Sequence, residues 1–159
     1  MEVRRRRPSG GRSHHHDSSL PRMNVVVAND ISELNRLQQS VSQFCREHGL
    51  SSEIEGDLSL ALEEILVNVI RYGHPEGGKH EIVVWLSLEQ DYVIATVEDD
   101  GVPFNPLEAP EPDLYSPIEK RQVGGLGIHL IRNVTDGLEY RRDGDRNCVV
   151  MRKHVSRSE

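Results

Sequence analysis

The stretch His80–Asp99, HEIVVWLSLEQDYVIATVED, decides the architecture. Two apolar, β-branched runs flank polar residues at Glu89 to Asp91, the pattern of an antiparallel hairpin. In the second run Val93, Ala95, Val97 and Asp99 fall on one face, and Ile94, Thr96 and Glu98 on the other, because successive strand residues point to opposite sides. The first set is the core-facing one. Asp99 therefore leaves the sheet on the face that its helices cover.

Upstream of the hairpin, MNVVVA (Met23–Ala28) reads as a strand. Asn29 or Asp30 can then cap a helix, with Glu33 reaching back as in a capping box. Ile31, Leu34, Leu37, Val41 and Phe44 recur at helical spacing, and Gly49 ends the run. A second helix spans about Ile54 to Tyr72 and stops at Gly73 and Pro75. Downstream, Pro103 to Val123 holds Pro106, Pro110, Pro112 and Pro117 without periodicity; it is longer than most connections inside a compact domain, and such loops are often lids. GGLGIHLIRNVTDG (Gly124–Gly137) leads glycines into a helix that ends by Gly137. LEYRRDGDRNCVVMRK (Leu138–Lys153) closes as a hairpin turning at Asp143 to Asp145. This order implies a mostly antiparallel sheet with its helices on one face, an α+β two-layer sandwich.

Composition sets the frame around that domain. A chain of 159 residues suffices for one domain with a real core. No run approaches the apolar length that a bilayer span needs, and the Arg-rich start lacks the hydrophobic centre of a secretory signal. Cys45 and Cys148 make no CxxC or other ligand spacing, which suits a reducing compartment, so a soluble, cytoplasmic chain without a membrane partner is expected. The net charge of -7 divides unevenly. Residues 1–22 carry six Arg against Glu2 and Asp17, a balance of +4, which leaves -11 for residues 23–159. So acidic a body argues against direct nucleic-acid binding. The expected organisation is a disordered basic tail over 1–22, whose His14, His15 and His16 belong to a floppy leader, a domain over 23–154, and a C-terminal tail over 155–159.

Three segments carry candidate chemistry. In the second helix, which contains LALEEILVNVIRYGHP (Leu60–Pro75) up to Tyr72, Leu58, Leu62, Ile65, Val69 and Tyr72 form the main apolar stripe, while Glu64 and Asn68 sit four residues apart at its rim. On the helix alone a solvated polar pair explains them equally well. EDDGVPF places Asp99 and Asp100 at a strand end before Gly101, where a carboxylate can accept from an amino group and glycine lets a flat ligand approach the backbone. Alone it reads as a turn. VGGLGIHLI sets Gly124, Gly125 and Gly127 where a loop becomes a helix, so free N–H groups can hold phosphate. It is neither a P-loop nor a dinucleotide fingerprint.

Taken together and in this order, Glu64-x-x-x-Asn68, Asp99-x-Gly101 and Gly124-Gly-x-Gly127 resemble the asparagine box and the two glycine boxes of the GHKL ATPase superfamily, the Bergerat fold. Within it, ALEEILVNVIRYGHP, VEDDGVPFNP and GGLGIHLIRNVTD are most similar to the bacterial anti-sigma-factor serine/threonine kinases, over roughly residues 23 to 154. The resemblance implies ATP as cofactor and Asn68 as a ligand of the Mg²⁺ that bridges its phosphates. It implies Glu64 as general base toward a serine or threonine hydroxyl, and Asp99 as acceptor from the adenine amino group. Gly101 would let the base lie close, and Gly124, Gly125 and Gly127 would wrap the phosphates under a closing lid. The implied activity is phosphorylation of a STAS-type anti-sigma-factor antagonist, the implied partners are that antagonist and a sigma factor, and the implied state is a homodimer. The competing reading is an ATP-binding sequestering or switch module with little or no kinase activity, which could dispense with Glu64. Arg71 is as easily a surface ion-pair residue as a phosphate ligand. Tyr72 is expected to pack on the apolar stripe and His129 to be structural, while Glu63 points about 100° from Glu64.

Overall fold

The structure is a computed structural model and describes residues 21–105 and 125–155. Among the described residues, eight α-helices and β-strands follow one another: β1 (Arg22–Ala28), α1 (Leu34–Glu47), α2 (Ser52–Tyr72), β2 (Glu81–Glu89), β3 (Tyr92–Asp99), α3 (Gly125–Val134), β4 (Gly137–Asp143) and β5 (Arg146–His154). The five strands pair antiparallel in the order β1-β2-β3-β5-β4. The expected two-layer α+β sandwich is borne out. The expected lid over 103–123 lies outside the described residues from 106 onward, as do Gly124 and the basic tail through residue 20. No helix among the described residues is long and apolar enough to cross a membrane.

Strand parity builds the core. Ile82, Val84, Leu86 and Leu88 of β2, Val93, Ala95 and Val97 of β3, and Val149 and Met151 of β5 are all buried, and the register places them side by side. Against them pack Leu37, Val41 and Phe44 from α1 and Leu58, Leu62, Ile65 and Leu66 from α2. Trp85, the one tryptophan of the chain, has the opposite parity on β2, so it points away from the helices and lies beneath the Arg22 guanidinium at 4.6 Å.

Three local expectations need correction. Asp30 does cap, accepting from Ser32 N at 2.9 Å, but it caps a single 3-10 turn at Ile31–Glu33, and α1 begins only at Leu34. Glu33 does not reach back; it pairs with Arg36 at 2.8 Å, and Ile31 is 53% exposed. Asn29 serves a different partner: its amide accepts from His80 N at 3.0 Å and donates to Gly78 O at 3.1 Å, tying the loop before β2 to the end of β1. Tyr72, placed on the apolar stripe by spacing, is 44% exposed because the helix has by then run past the sheet.

Candidate functional site

The last two turns of α2, the end of β3 and the start of β5 meet at one cleft. Ile65, Asn68, Val69 and Tyr72 line it from the helix, Asp99 from the strand end, and Phe104 from the loop beyond. An apolar cleft with a few convergent polar groups is the usual form of a small-molecule site. Tyr72, Val102 and Phe104 leave apolar surface exposed around its mouth.

Asp99 is 2% exposed, and its Oδ1 accepts from Gly101 N at 2.9 Å and from Asn147 Nδ2 at 3.0 Å. One carboxylate oxygen is thus pinned by the chain itself. Asn147 lies directly across the ladder from Asp99 and is buried too. Its amide also donates to Val102 O at 2.8 Å, and its Oδ1 accepts from Tyr140 Oη at 2.7 Å and Phe104 N at 3.3 Å. Arg142 adds a bond to Gly101 O at 2.7 Å. The loop after Asp99 therefore hangs on β4 and β5. Sequence reading passed over Asn147; the available signal was a polar residue on the core parity of its strand, in line with Val149 and Met151.

The glycines have structural reasons of their own. A Cβ on Gly101 would stand 2.6 Å from Gly73 O and 2.8 Å from Gly73 Cα, and Val102 N donates to that same carbonyl at 2.8 Å. The close approach that Gly101 permits is to the chain's own backbone at the end of α2. Gly127 lies within α3, where a Cβ would meet Glu64 Oε2 at 2.5 Å. Glu64 therefore lies against the first turns of the glycine-led helix, one turn of α2 before Asn68. Gly125 opens α3. The neighbour Glu63 instead accepts from Gln38 Nε2 at 3.1 Å, facing α1, and Arg71 is exposed.

Asn68 is buried, and its Nδ2 has no hydrogen-bond partner among the described residues. A buried amide without a partner is costly. The cost is relieved if a ligand fills the cleft, and turning the amide about its last bond presents the oxygen in place of the nitrogen. The Asn68 amide oxygen is a donor suited to Mg²⁺, which binds through few protein oxygens and keeps several waters.

The chain is similar to several known proteins. An anti-sigma F factor of Clostridium perfringens is 25% identical over 118 residues, 74% of this chain and 84% of that protein. The serine/threonine-protein kinase BtrW of Bordetella bronchiseptica is 27% identical over 106 residues, 65% of this chain and 73% of that protein. The crystal structure of the RsbU and RsbW domains of a Mycobacterium tuberculosis protein shares the fold with a TM-score of 0.62 at 16% identity, covering 87% of this chain and 33% of that one. The description "Histidine kinase-like ATPase domain" matches residues 27–153. With the match running from β1 through β5 and taking in every element of the cleft, the chain belongs to the histidine kinase-like ATPase domain family.

Proposed function

We propose that this chain is an ATP-dependent protein serine/threonine kinase that acts as an anti-sigma factor, phosphorylating a STAS-type antagonist and sequestering a sigma factor in the alternative partner state. The observation that carries the reading is the meeting of Asn68 on α2 and Asp99 at the end of β3 at one cleft, with Glu64 one helical turn before Asn68 and against Gly127 of α3. Asp99 accepts from the adenine amino group with its remaining oxygen, while Asn147 and Gly101 hold the carboxylate still. Guanine offers a carbonyl at that point and is refused. Asn68 would hold Mg²⁺ through its amide oxygen, and the bound ion would supply charge neutralisation for the phosphates. The N–H groups at the start of α3, with Gly124, Gly125 and Gly127, would receive the phosphates. Glu64, against Gly127, takes the proton from the attacking hydroxyl. The relatives' names and the acidic body support a protein substrate and a basic face on the sigma factor. A homodimer completes the assembly.

The test is transfer from radiolabelled ATP to the STAS protein encoded nearby, with ATP binding measured in parallel. Glu64→Ala is expected to keep ATP binding and lose transfer by about 10² to 10⁴-fold. Asn68→Ala is expected to lose Mg²⁺-dependent binding. Transfer by Glu64→Ala at the parent rate removes the base assignment. A parent protein that binds ATP and captures a sigma factor yet labels no antagonist is a switch module instead.

A further inference from the structure

Next to Gly73 and Gly101, and outside the lining of the cleft, three side chains form a second constellation. His74 Nε2 lies 2.8 Å from Asp100 Oδ1, and His80 Nδ1 lies 3.1 Å from Asp100 Oδ2. The imidazoles are stacked, with centroids 3.5 Å apart and planes 13° from parallel. Both rings therefore aim a nitrogen at the same carboxylate, and the ligand atoms of all three residues lie within 4.8 Å of one another.

The backbone holds this arrangement in place. His74 follows directly on the C-cap of α2 and its side chain is 9% exposed. Gly77 and Gly78, with φ of 77° and 95°, turn the chain back on itself. A side chain at Gly78 would be strained by that positive φ, while a Cβ there would only touch the His80 ring, 3.4 Å from Nε2. Asn29 clamps the His80 backbone from both sides, its N–H donating to His80 O and its side chain accepting from His80 N. Burial pulls the Asp100 carboxyl up, but the hydrogen bonds from His80 and His74 outweigh it and hold the group below the usual carboxylate range.

We propose that His74, His80 and Asp100 bind one borderline divalent transition-metal ion, of the Zn²⁺ and Co²⁺ class. Two imidazoles and a carboxylate are donors of the right hardness for these ions and the wrong ones for Mg²⁺. With bonds of about 2.0–2.2 Å, tetrahedral ligand atoms stand ~3.3 Å apart, close to the spacing the nitrogens and oxygens already have. The ion takes the place of the hydrogen bonds between ring and carboxylate, and each ring binds in its neutral form with its one proton on the nitrogen turned away from the ion. Water fills the remaining positions at the half-exposed Asp100 edge. His74 Nδ1 then carries its ring's proton, and it is buried with no partner among the described residues. A ligand histidine lacking that outer hydrogen bond binds about 10–100-fold more weakly, so the site is a labile one.

The test uses the full chain with His14, His15 and His16 replaced by Ala, which removes the competing tail, after chelator treatment. Co²⁺ is added in millimolar Mg²⁺ and followed by its visible absorption, and Zn²⁺ is then added to displace it. The expected result is one Co²⁺ per chain, displaced by Zn²⁺ and indifferent to Mg²⁺. His80→Ala and Asp100→Asn, at partly exposed positions and checked by circular dichroism, are expected to weaken binding about tenfold or more. The absence of any saturable Co²⁺ spectrum overturns the proposal, as does a folded His80→Ala that binds as tightly as its parent.

Discussion

At Gly101 and Gly127 the same substitution has different consequences. Gly101→Ala drives a methyl group into the Gly73 backbone, which cannot step aside without moving the end of α2. A loss of about 1–3 kcal/mol in urea unfolding is expected, with nucleotide binding lost alongside. Gly127→Ala meets only the tip of the Glu64 side chain. The protein should keep its unfolding midpoint, and phosphoryl transfer should fall more than ATP affinity as the carboxylate is pushed away. Asn147→Ala leaves buried Asp99 one donor short and frees Val102 O, and a cost of about 2–3 kcal/mol is expected by the same unfolding measurement. The burial of Asp99 was legible from strand parity. Asn147 was not, since its meaning depends on which residue of another hairpin lies opposite it, and that register is a tertiary fact. Tyr72 misled for a related reason, because helical spacing says which side a residue faces but not where the sheet beneath it stops.

Among the elements, α2 organises the rest, since it carries Glu64, Asn68 and the backbone that Gly101 rests on. Its first turn is secured by Ser51, whose Oγ accepts from Ile54 N at 3.2 Å. Ser51→Ala should cost about 1 kcal/mol, read as a lower thermal midpoint. Leu62, fully buried in the centre of the same helix, should cost about 2–5 kcal/mol as Leu62→Ala. The helix begins at Ser52, ahead of the expected Ile54, because its opening residues are polar and add nothing to an apolar period. The hairpins were legible almost to the residue, since a period of two and a polar turn leave little choice of register. The start of α1 was not, because a capped 3-10 turn and a capped α-helix begin with the same residues.

For the whole molecule, burial of both thiols ties stability to alkaline pH. Burial, with Glu55 adding to it, pushes the Cys45 thiol up to about 11, and burial likewise raises Cys148. The unfolded chain gives up these protons first, so stability is complete below the ordinary thiol range and falls as pH rises toward about 11. Urea midpoints should therefore drop between about pH 8 and about pH 10, more steeply for the parent than for Cys45→Ala. Thiol reagents should label neither cysteine faster than the protein unfolds. The two-layer arrangement was legible as a whole because element order and turn chemistry agree. The His74–Asp100–His80 grouping was not, since it arises where two loops cross. The direction of Trp85 has a practical result for spectroscopy: native fluorescence is blind to what enters the cleft and reports on events at the opposite side of the sheet. A Tyr72→Trp, Trp85→Phe exchange would carry the lamp across to the entrance, where quenching by a purine could be followed in real time.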